Sequence, residues 1–269
     1  MKRSPFTYLM ALLITLAAAY YQRVTGPTYP ARGKVTFDRQ TYSYRLPRSY
    51  DGPGDSEIRL KQLDPSIQGQ LSFRRLGAGE PWGSVSMRRE RDDLVGSLPH
   101  QPPAGRMEYI IALSSPAGQQ TIGGDSPIRI RFRGVVPLTV LIPHVTCMFL
   151  AMWASTVTAL KAIRRTAGYK TTAWLTVVFL ILGGMILGPI VQHHAFGEYW
   201  TGVPFGYDLT DNKTLIALVG WLLALLANWK KERTGAIIAA AVFLLVVYSI
   251  PHSVLGSHLD YSSMKVKTG

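Results

Sequence analysis

Two kinds of hydrophobic pattern divide the chain. Four runs in its second half are apolar over a length that can cross a bilayer core, which takes roughly 17 to 25 helical residues. They are predicted at 136–158, 173–192, 214–229 and 235–251. A fifth apolar run, Phe6 to Tyr21, follows the basic residues Lys2 and Arg3. The pattern therefore predicts a four-helix transmembrane bundle over 136–269, and residues 1–21 as either an N-terminal transmembrane anchor or a signal peptide cleaved after Ala19.

The segment between these hydrophobic parts has a different period. From Lys34 to Arg133, short runs of alternating polar and apolar residues are separated by Gly, Pro, Asp and Ser. This alternation is typical of an antiparallel β-sandwich with one buried and one solvated face per sheet. Seven strands are predicted, at 34–38, 42–46, 57–63, 68–74, 83–89, 106–113 and 128–133. The fold class is thus an α+β membrane protein, with the β-sandwich assigned to 22–135.

The stretch "GRMEYIIAL", Gly105 to Leu113, resembles the penultimate strand of immunoglobulin and fibronectin type III domains. Seven strands in about a hundred residues are also similar to those families in size. The resemblance implies an immunoglobulin-like sandwich. It further implies that Tyr109 is a tyrosine-corner residue, whose hydroxyl bonds to the backbone a few residues upstream.

The last predicted strand places arginines on one of its faces. Ile128, Ile130 and Phe132 point one way, so the intervening residues point the other way and form an arginine ladder. This ladder, Arg129, Arg131 and Arg133, stands with "MRRER" (87–91) as a basic surface of the sandwich. Such a surface is either simply solvated or in contact with lipid phosphates or an acidic partner, at about 1 kcal/mol per arginine near a headgroup.

Charges between the predicted spans indicate one orientation. The loop after the span 136–158 carries Lys161, Arg164 and Arg165 without an acid, and "KKERTG" (230–235) is again basic. Both loops are assigned to the cytoplasm by the positive-inside rule. The outer side then holds the sandwich, the C-terminus and the loop between the spans 173–192 and 214–229. We call this loop, residues 193–213, the outer loop; the span that follows it is the fourth when Phe6 to Tyr21 is counted as the first. We predict a multi-pass protein of the bacterial inner membrane with 22–135 and the C-terminus in the periplasm.

Composition limits the chemistry. The formal net charge is +13, but much of the charge is explained by the orientation of the spans, so nucleic acid is not the predicted partner. The chain has one cysteine, Cys147, inside a predicted span. No intrachain disulfide and no cysteine-based metal site is possible, and the exported domain depends on its hydrophobic core.

The histidines are distributed unevenly. Five of the six fall at the predicted outer ends of spans or just beyond: His144, His193, His194, His252 and His258. If His144, His193, His194 and His252 converge, neutral imidazoles can hold a transition metal such as Cu, Zn or Fe, or two of them a haem. Additional ligands would come from Glu198, Asp208, His258 and Asp260. Alternatively, the imidazoles sit in the wet interfacial zone and bond to loop groups.

The loop before the fourth span is rich in aromatics and turn residues. Its aromatic side chains suit the membrane interface, and Thr210 or Asp211 is predicted to cap the following helix. In the preceding span, Gly184 and Gly188 have the G-x-x-x-G spacing that lets helices approach closely. These features predict packing and orientation rather than chemistry.

The sequence identifies no reaction. It contains no P-loop, no dinucleotide-binding glycine motif and no hydrolase or metalloprotease motif. We therefore predict a non-catalytic component or assembly factor of a membrane complex, with membrane lipid and a protein as partners, that contacts its protein partner through the sandwich and the outer loop. The alternative is a periplasm-facing metal- or haem-binding protein or metalloenzyme that uses the outer-face histidines.

Overall fold

The structure is a computed structural model that describes residues 5–37, 39–252, 254 and 256–268. The chain separates into two compact units. The helical unit comprises Met1–Pro27, Val136–Ser257 and the last two residues, and the β-unit comprises Thr28–Val135 and His258–Lys267. The second part of the β-unit was assigned to the transmembrane domain from sequence, since nothing in its short pattern distinguishes it from a tail.

The helical unit contains six α-helices and one π-helical segment among the described residues. They are α1 Pro5–Thr25, α2 Leu138–Ile163, α3 Tyr169–Phe179, the π-segment Leu180–Leu187, α4 Gly188–Phe196, α5 Leu209–Ala227 and α6 Thr234–Ser249. In the part of the chain that the structure describes, three helical stretches are long and apolar enough to cross a membrane: α2, the continuous Tyr169–Phe196 stretch, and α5. Helix α6 is apolar but shorter, with 16 residues. A membrane protein is thus indicated, while the fourth span and the anchor remain predictions.

Helix α1 packs within the helical unit. Its residues Thr7, Ala11 and Thr15 are buried. Near its end, Gln22 Nε2 donates to the carbonyl oxygens of Tyr248, in the last turn of α6, and of Ile250, just after α6, at 2.5 and 3.3 Å. Near its start, Thr7 Oγ1 accepts from the guanidinium of Arg164, just after α2, at 2.7 Å. The start of α1 is therefore near the end of α2, and its end near the end of α6, as alternating helix directions require. Lys2 and Arg3 lie outside the described residues.

The β-unit contains thirteen strands among the described residues. They are β1 Ala31–Phe37, β2 Gln40–Leu46, β3 Ser49–Tyr50, β4 Ser56–Leu60, β5 Gln68–Arg75, β6 Gly83–Ser86, β7 Arg88–Glu90, β8 Asp93–Leu98, β9 Arg106–Ser115, β10 Gly118–Ile122, β11 Ile128–Phe132, β12 His258–Asp260 and β13 Lys265–Lys267. One sheet has the order β3-β11-β9-β5-β6, with β10 also on β9. A second has the order β4-β8-β7, and β1-β2 and β12-β13 form hairpins.

Both sheets and the β1-β2 hairpin share one hydrophobic core. Its largest fully buried side chains include Tyr109, Phe132 and Leu46. The chain from β6 to β7 links the sheets at one side: β6 pairs with β5 and β7 pairs with β8. Between them the buried Met87 donates its N–H to Gly69 O at 2.8 Å. Sheets are thus shown, and the immunoglobulin-like assignment stays a prediction.

Each of the seven predicted strands overlaps an observed one, but others were missed. Strand β8 was missed because Gly96 lies in its middle, and glycine weakens a strand pattern. An added Cβ at Gly96 would lie 2.9 Å from Leu71 Cδ2 of the facing sheet, so close packing requires glycine there. Asp38, the predicted end of the first strand, lies outside the described residues. The alternation of β11 is confirmed: Ile128, Ile130 and Phe132 are buried.

Tyr109 does not form a local tyrosine corner. Its hydroxyl donates to Pro47 O at 2.8 Å, and Pro47 is 62 residues upstream rather than a few. Tyr109 lies in β9, near the middle of the larger sheet, and is fully buried. The predicted corner is therefore wrong, because this hydroxyl ties the β2–β3 connection to a central strand.

The C-terminal hairpin β12-β13 packs on the β-unit. The N–H of Leu259 donates to Ala104 O at 3.0 Å. The hydroxyl of Tyr261, in the turn, accepts from the N–H of Arg106 at 3.0 Å and donates to its carbonyl oxygen at 3.1 Å. The guanidinium of Arg75 lies 5.2 Å from the Tyr261 ring centroid. Two segments that are far apart in sequence, Thr28–Val135 and His258–Lys267, thus fold into one unit.

Candidate functional site

His193 and His194 lie in the last turn of α4. The His193 ring stacks on Tyr199 with parallel planes and a centroid distance of 4.0 Å. Its Nδ1 is 3.0 Å from Gly197 O. A carbonyl oxygen only accepts, so this contact assigns the proton to Nδ1. The His194 ring is 6.2 Å from that of His193 and is exposed. His193 is therefore held by loop groups.

His144 lies in α2 and bonds to the π-segment. Its Nδ1 is 2.9 Å from Gly183 O, which assigns the proton to Nδ1 and leaves Nε2 as an acceptor. Gly183 O also accepts the N–H of Gly188, the wide-turn bond of a π-helix. His144 and His252 line one cavity of the helical unit. His258 begins β12 in the β-unit.

Among residues 5–37, 39–252, 254 and 256–268, no group of three or more His, Cys, Asp or Glu is arranged to hold a metal ion. Of the additional predicted ligands, Glu198 is exposed. Asp260 bonds to Lys267 and to the hydroxyls of Ser262 and Ser263 in the C-terminal hairpin. These contacts, with Lys267 first, lower the pKa of Asp260 well below its usual value. The metal or haem site stays a prediction.

The acids of the outer loop form a buried polar network. Asp208, rather than the predicted Thr210 or Asp211, caps α5: its Oδ1 accepts from the N–H of Thr210 at 2.8 Å. Its Oδ2 accepts from the N–H and the hydroxyl of Ser257 at 2.8 and 2.7 Å. Asp211 Oδ2 accepts the N–H of Thr201 at 2.6 Å. Buried polar groups need such partners, so the network fixes the loop.

Sequence reasoning missed Thr201 and Ser257. The Thr201 hydroxyl accepts from Gln192 Nε2 at 2.6 Å and lies 2.9 Å from the Ser257 hydroxyl. Gly202 completes the turn, because an added Cβ there would lie 2.7 Å from Asp211 Cβ. The isolated hydroxyls carried no signal in the sequence. Their role follows from the meeting of three segments.

This fixed loop presents aromatic side chains outward. Phe205 is 80% exposed and Tyr207 78% exposed, although the neighbouring Asp208 is buried. The aromatic residues thus do not belong to the core of the helical unit. Their exposure fits either the predicted contact with the bilayer interface or a contact with another protein.

A cavity of about 180 Å³ lies inside the helical unit. Its polar wall includes His144, Lys213, Tyr248 and His252, and Ala18 and Ala19 of α1 also line it. The remaining wall is largely apolar: Val145, Met148, Phe149, Met152, Leu180, Ala217 and Val247. The sequence pointed to His144 and His252, but it assigned Lys213 only as a loop charge.

Glycines set the packing of the π-segment. An added Cβ on Gly183 would lie 2.8 Å from Cys147 Cβ, and one on Gly184 would lie 2.5 Å from Thr214 Cγ2. At Gly188 the nearest atoms would be 3.4 Å or more away. The closest approach to α2 is thus at Gly183, which the predicted Gly184 and Gly188 pair did not include.

The arginine surfaces predicted from sequence are partly engaged within the β-unit. Arg133 pairs with Asp51 at 2.7 Å, and Arg88 with Glu90 at 2.7 Å. Arg89 donates to the carbonyl oxygens of Leu63 and Ile67. Arg129 is exposed and Arg131 is half-buried. Much of this positive charge therefore stabilises the fold of the β-unit.

A different basic surface is formed by β1, β2 and the end of β4. It lines a groove of about 1020 Å³, which we call the basic groove. Its charged wall residues are Arg32, Lys34, Arg45, Arg59 and Lys61. Arg59 is neutralised by Glu57, Glu90 and Asp93, at 2.6, 2.8 and 3.1 Å. The pKa of Asp93 is lowered mainly by the hydrogen bond from the Gln62 N–H, and further by the Arg59 guanidinium.

The basic groove keeps an excess of positive charge, since four further cations accompany Arg59 and its three carboxylates. Arg32, Lys34, Arg45 and Lys61 are exposed, and none forms an ion pair within the described part of the chain. Arg32 and Arg45 are direct cross-strand partners in the β1-β2 ladder. Like charges in that position repel each other, so the hairpin is formed at an electrostatic cost that a bound anion would remove.

No family model matches the chain, and no curated protein compared with it is similar. Its class is therefore defined by the structure alone. The chain has a mixed α+β fold. Among the described residues, three helices of the helical unit are long and apolar enough to span a bilayer, which indicates a membrane protein, and the β-unit carries a basic groove.

Proposed function

We propose that the chain is a non-catalytic component or assembly factor of a membrane complex, and that its β-unit binds an acidic segment of a partner protein. The observation that carries this proposal is the basic groove with its opposed Arg32 and Arg45. An acidic side chain between them would replace repulsion by two attractive pairs. Exposed pairs of this kind contribute up to about 1 kcal/mol each.

The shape of the groove favours a protein over a lipid surface. A membrane is broad and nearly flat, so it is met best by a convex patch, whereas a groove of about 1020 Å³ accepts a protruding segment. Tyr42 and Tyr44 also line it and add apolar contact area. The exposed Phe205 and Tyr207 of the outer loop are the second contact surface of the same proposal.

The proposed setting is the bacterial inner membrane, with the β-unit and the C-terminus in the periplasm. Two independent arguments support the same side of the membrane for the β-unit and the C-terminus. The positive-inside rule assigns 22–135 and the C-terminus to the outer face. The hairpin β12-β13 belongs to the same folded unit as Thr28–Val135, and segments of one unit lie on one side of a bilayer.

Charge neutralisation in the groove tests the proposal. The double variant Arg32→Gln, Arg45→Gln should lose co-purification of the partner from solubilised native membranes. The expected loss is up to about thirtyfold, corresponding to about 2 kcal/mol for two exposed pairs. Binding to wild type should also weaken between 50 and 300 mM salt, since exposed charges are screened within about 10 Å at 0.1 M.

The matched control removes the same number of charges elsewhere in the β-unit. Arg91 and Lys265 are exposed, and Arg91→Gln, Lys265→Gln changes no residue that lines the groove. Equal loss in both double variants would indicate a general charge effect and contradict a groove-specific partner. If the wild-type chain bound anionic vesicles but no protein was recovered with it, the partner of the groove would be lipid, which would contradict the proposed protein partner.

A further inference from the structure

The cavity of the helical unit contains a buried cation that forms no ion pair within the described part of the chain. Lys213 is 7% exposed, and its Nζ donates to Ile250 O at 2.6 Å. An ammonium has three donors, so two remain after this bond. Within the described part of the chain Lys213 forms no ion pair: the nearby Asp208 attracts it from beyond ion-pair distance, and the Asp208 oxygens bond to Thr210 and Ser257.

A buried ammonium without a directly paired carboxylate is costly, and an anionic group in the cavity would reduce this cost. Polar groups that can contact such a ligand occupy only one part of the cavity wall. His144 and His252 add polar atoms, while the hydroxyl of Tyr248 is engaged with Met148 O at 3.0 Å. Thr15, Gln22 and Thr214 also line the cavity, and the remaining side chains are apolar. The cavity therefore combines a cationic point with an apolar wall.

The cavity also reaches the outer surface of the helical unit. Ala19 of α1 and Val145 of α2 line it and are themselves exposed. These helices present apolar residues outward, such as Leu16 and Ile142, as a bilayer environment requires. A ligand can thus place its polar end near Lys213 and extend an apolar chain toward the hydrocarbon.

The volume limits the polar end. About 180 Å³ equals the liquid volume of about six water molecules, at roughly 30 Å³ each. This accommodates a carboxylate with the first few methylenes of one chain. A single chain with one small charged end fits this space more closely than a glycerophosphate headgroup with the start of two acyl chains.

We propose that this cavity binds an anionic single-chain amphiphile, with its carboxylate at Lys213 and its chain leaving between α1 and α2. The site is independent of the basic groove and of the partner proposed for it. Neither the histidine positions nor the hydropathy of the spans indicated it, because the cation and the opening come from different helices.

Native mass spectrometry of the full-length protein in detergent micelles tests the site with three probes: palmitate, hexadecanol and phosphatidylglycerol. Wild type should bind palmitate in a 1:1 ratio, at least about tenfold more tightly than either other probe. Lys213→Met keeps a long apolar side chain and should lower palmitate affinity to that of hexadecanol. The control Lys170→Met removes a half-exposed lysine outside the cavity and should leave palmitate binding unchanged.

A second variant keeps the test decisive if Lys213→Met does not fold. Ala18→Leu fills the cavity, keeps Lys213, and should also abolish 1:1 palmitate binding. Equal affinity for palmitate and hexadecanol in wild type would overturn the proposal, as would undiminished binding by Ala18→Leu. Tighter binding of phosphatidylglycerol than of palmitate would overturn the single-chain assignment.

Discussion

The hydroxyl of Tyr261 both accepts from and donates to the backbone of Arg106, a residue 155 positions earlier in the chain. Tyr261 belongs to the C-terminal hairpin and Arg106 begins β9. The helical segments α2 to α6 lie between them in sequence. Since both residues are in one folded unit, the chain must return to the side of the membrane from which α2 began.

This return predicts the accessibility of three single-cysteine variants in a Cys147→Ser background. Ser84→Cys in β6 and Lys265→Cys in β13 should both react with a membrane-impermeant maleimide in intact spheroplasts. Arg165→Cys, after α2, should react only after permeabilisation. All three native residues are exposed, so access depends on sidedness. Opposite labelling of the first two variants would contradict the shared unit.

His258 makes the docking of the C-terminal hairpin pH-dependent. Burial and the charges of Arg106, Arg131 and Lys267 lower its pKa from 6.5, while Asp260 opposes this. Below about pH 6.5 the unfolded state binds more protons than the folded state, so stability falls until the folded pKa is reached. Hydrogen exchange of the Leu259 N–H should therefore be faster at pH 5.5 than at pH 7.5, after correction for intrinsic rates.

The variant His258→Gln removes the titrating ring and should flatten this pH dependence. Asp260 does not produce the same effect, since its lowered pKa makes its contribution complete above its ordinary value of 3.8 and lost only in stronger acid. An unchanged difference between the two pH values in His258→Gln would assign the effect to another group.

Asp208 stabilises the outer loop through two separate contacts. In Asp208→Asn, the remaining oxygen still caps α5, but an NH₂ replaces the acceptor of the Ser257 bonds. The expected loss in free energy of unfolding is about 1–3 kcal/mol. Asp208→Ala should lose about 1 kcal/mol more, because the cap is also removed. Chemical unfolding in detergent measures both; equal stability of wild type and Asp208→Asn would contradict the network.

The contact between the π-segment and α2 depends on Gly183. In Gly183→Ala, the new methyl would meet Cys147 Cβ at 2.8 Å and the Met148 backbone nitrogen at 3.1 Å. Overpacking of this kind costs about 1–3 kcal/mol. Gly188→Ala is the control in the same helical stretch, since its methyl has ordinary contact distances. Thermal unfolding should separate the two variants, and a tolerated Gly183→Ala would show that α2 can shift freely.

The membrane helices could be predicted because their signal is local and long. Each predicted span overlaps an observed helix, and period-two alternation predicted seven segments that each overlap a strand of the β-unit, although it missed others such as β8. The hairpin β12-β13 could not be predicted in this way. Its strands have three residues each, and its docking depends on Leu259 and Tyr261 meeting residues far away in sequence.

The candidate sites were predictable only in part, for a related reason. His144 was noticed as a polar residue in an apolar span, but its bond to Gly183 O depends on the π-turn. Lys213 was assigned to the loop, although its side chain is buried. The basic groove was missed because Arg32 and Arg45 become neighbours only through the β1-β2 register.

The most direct test of the central claim is site-specific photocrosslinking in native membranes. A benzophenone side chain at Ser43, in the basic groove, should give one discrete protein adduct with an acidic partner, and Arg32→Gln, Arg45→Gln in the same chain should remove it. The same probe at Trp229, exposed after α5, should give lipid adducts alone. Lipid adducts alone at Ser43, or a protein adduct unaffected by loss of the two arginines, would contradict the account.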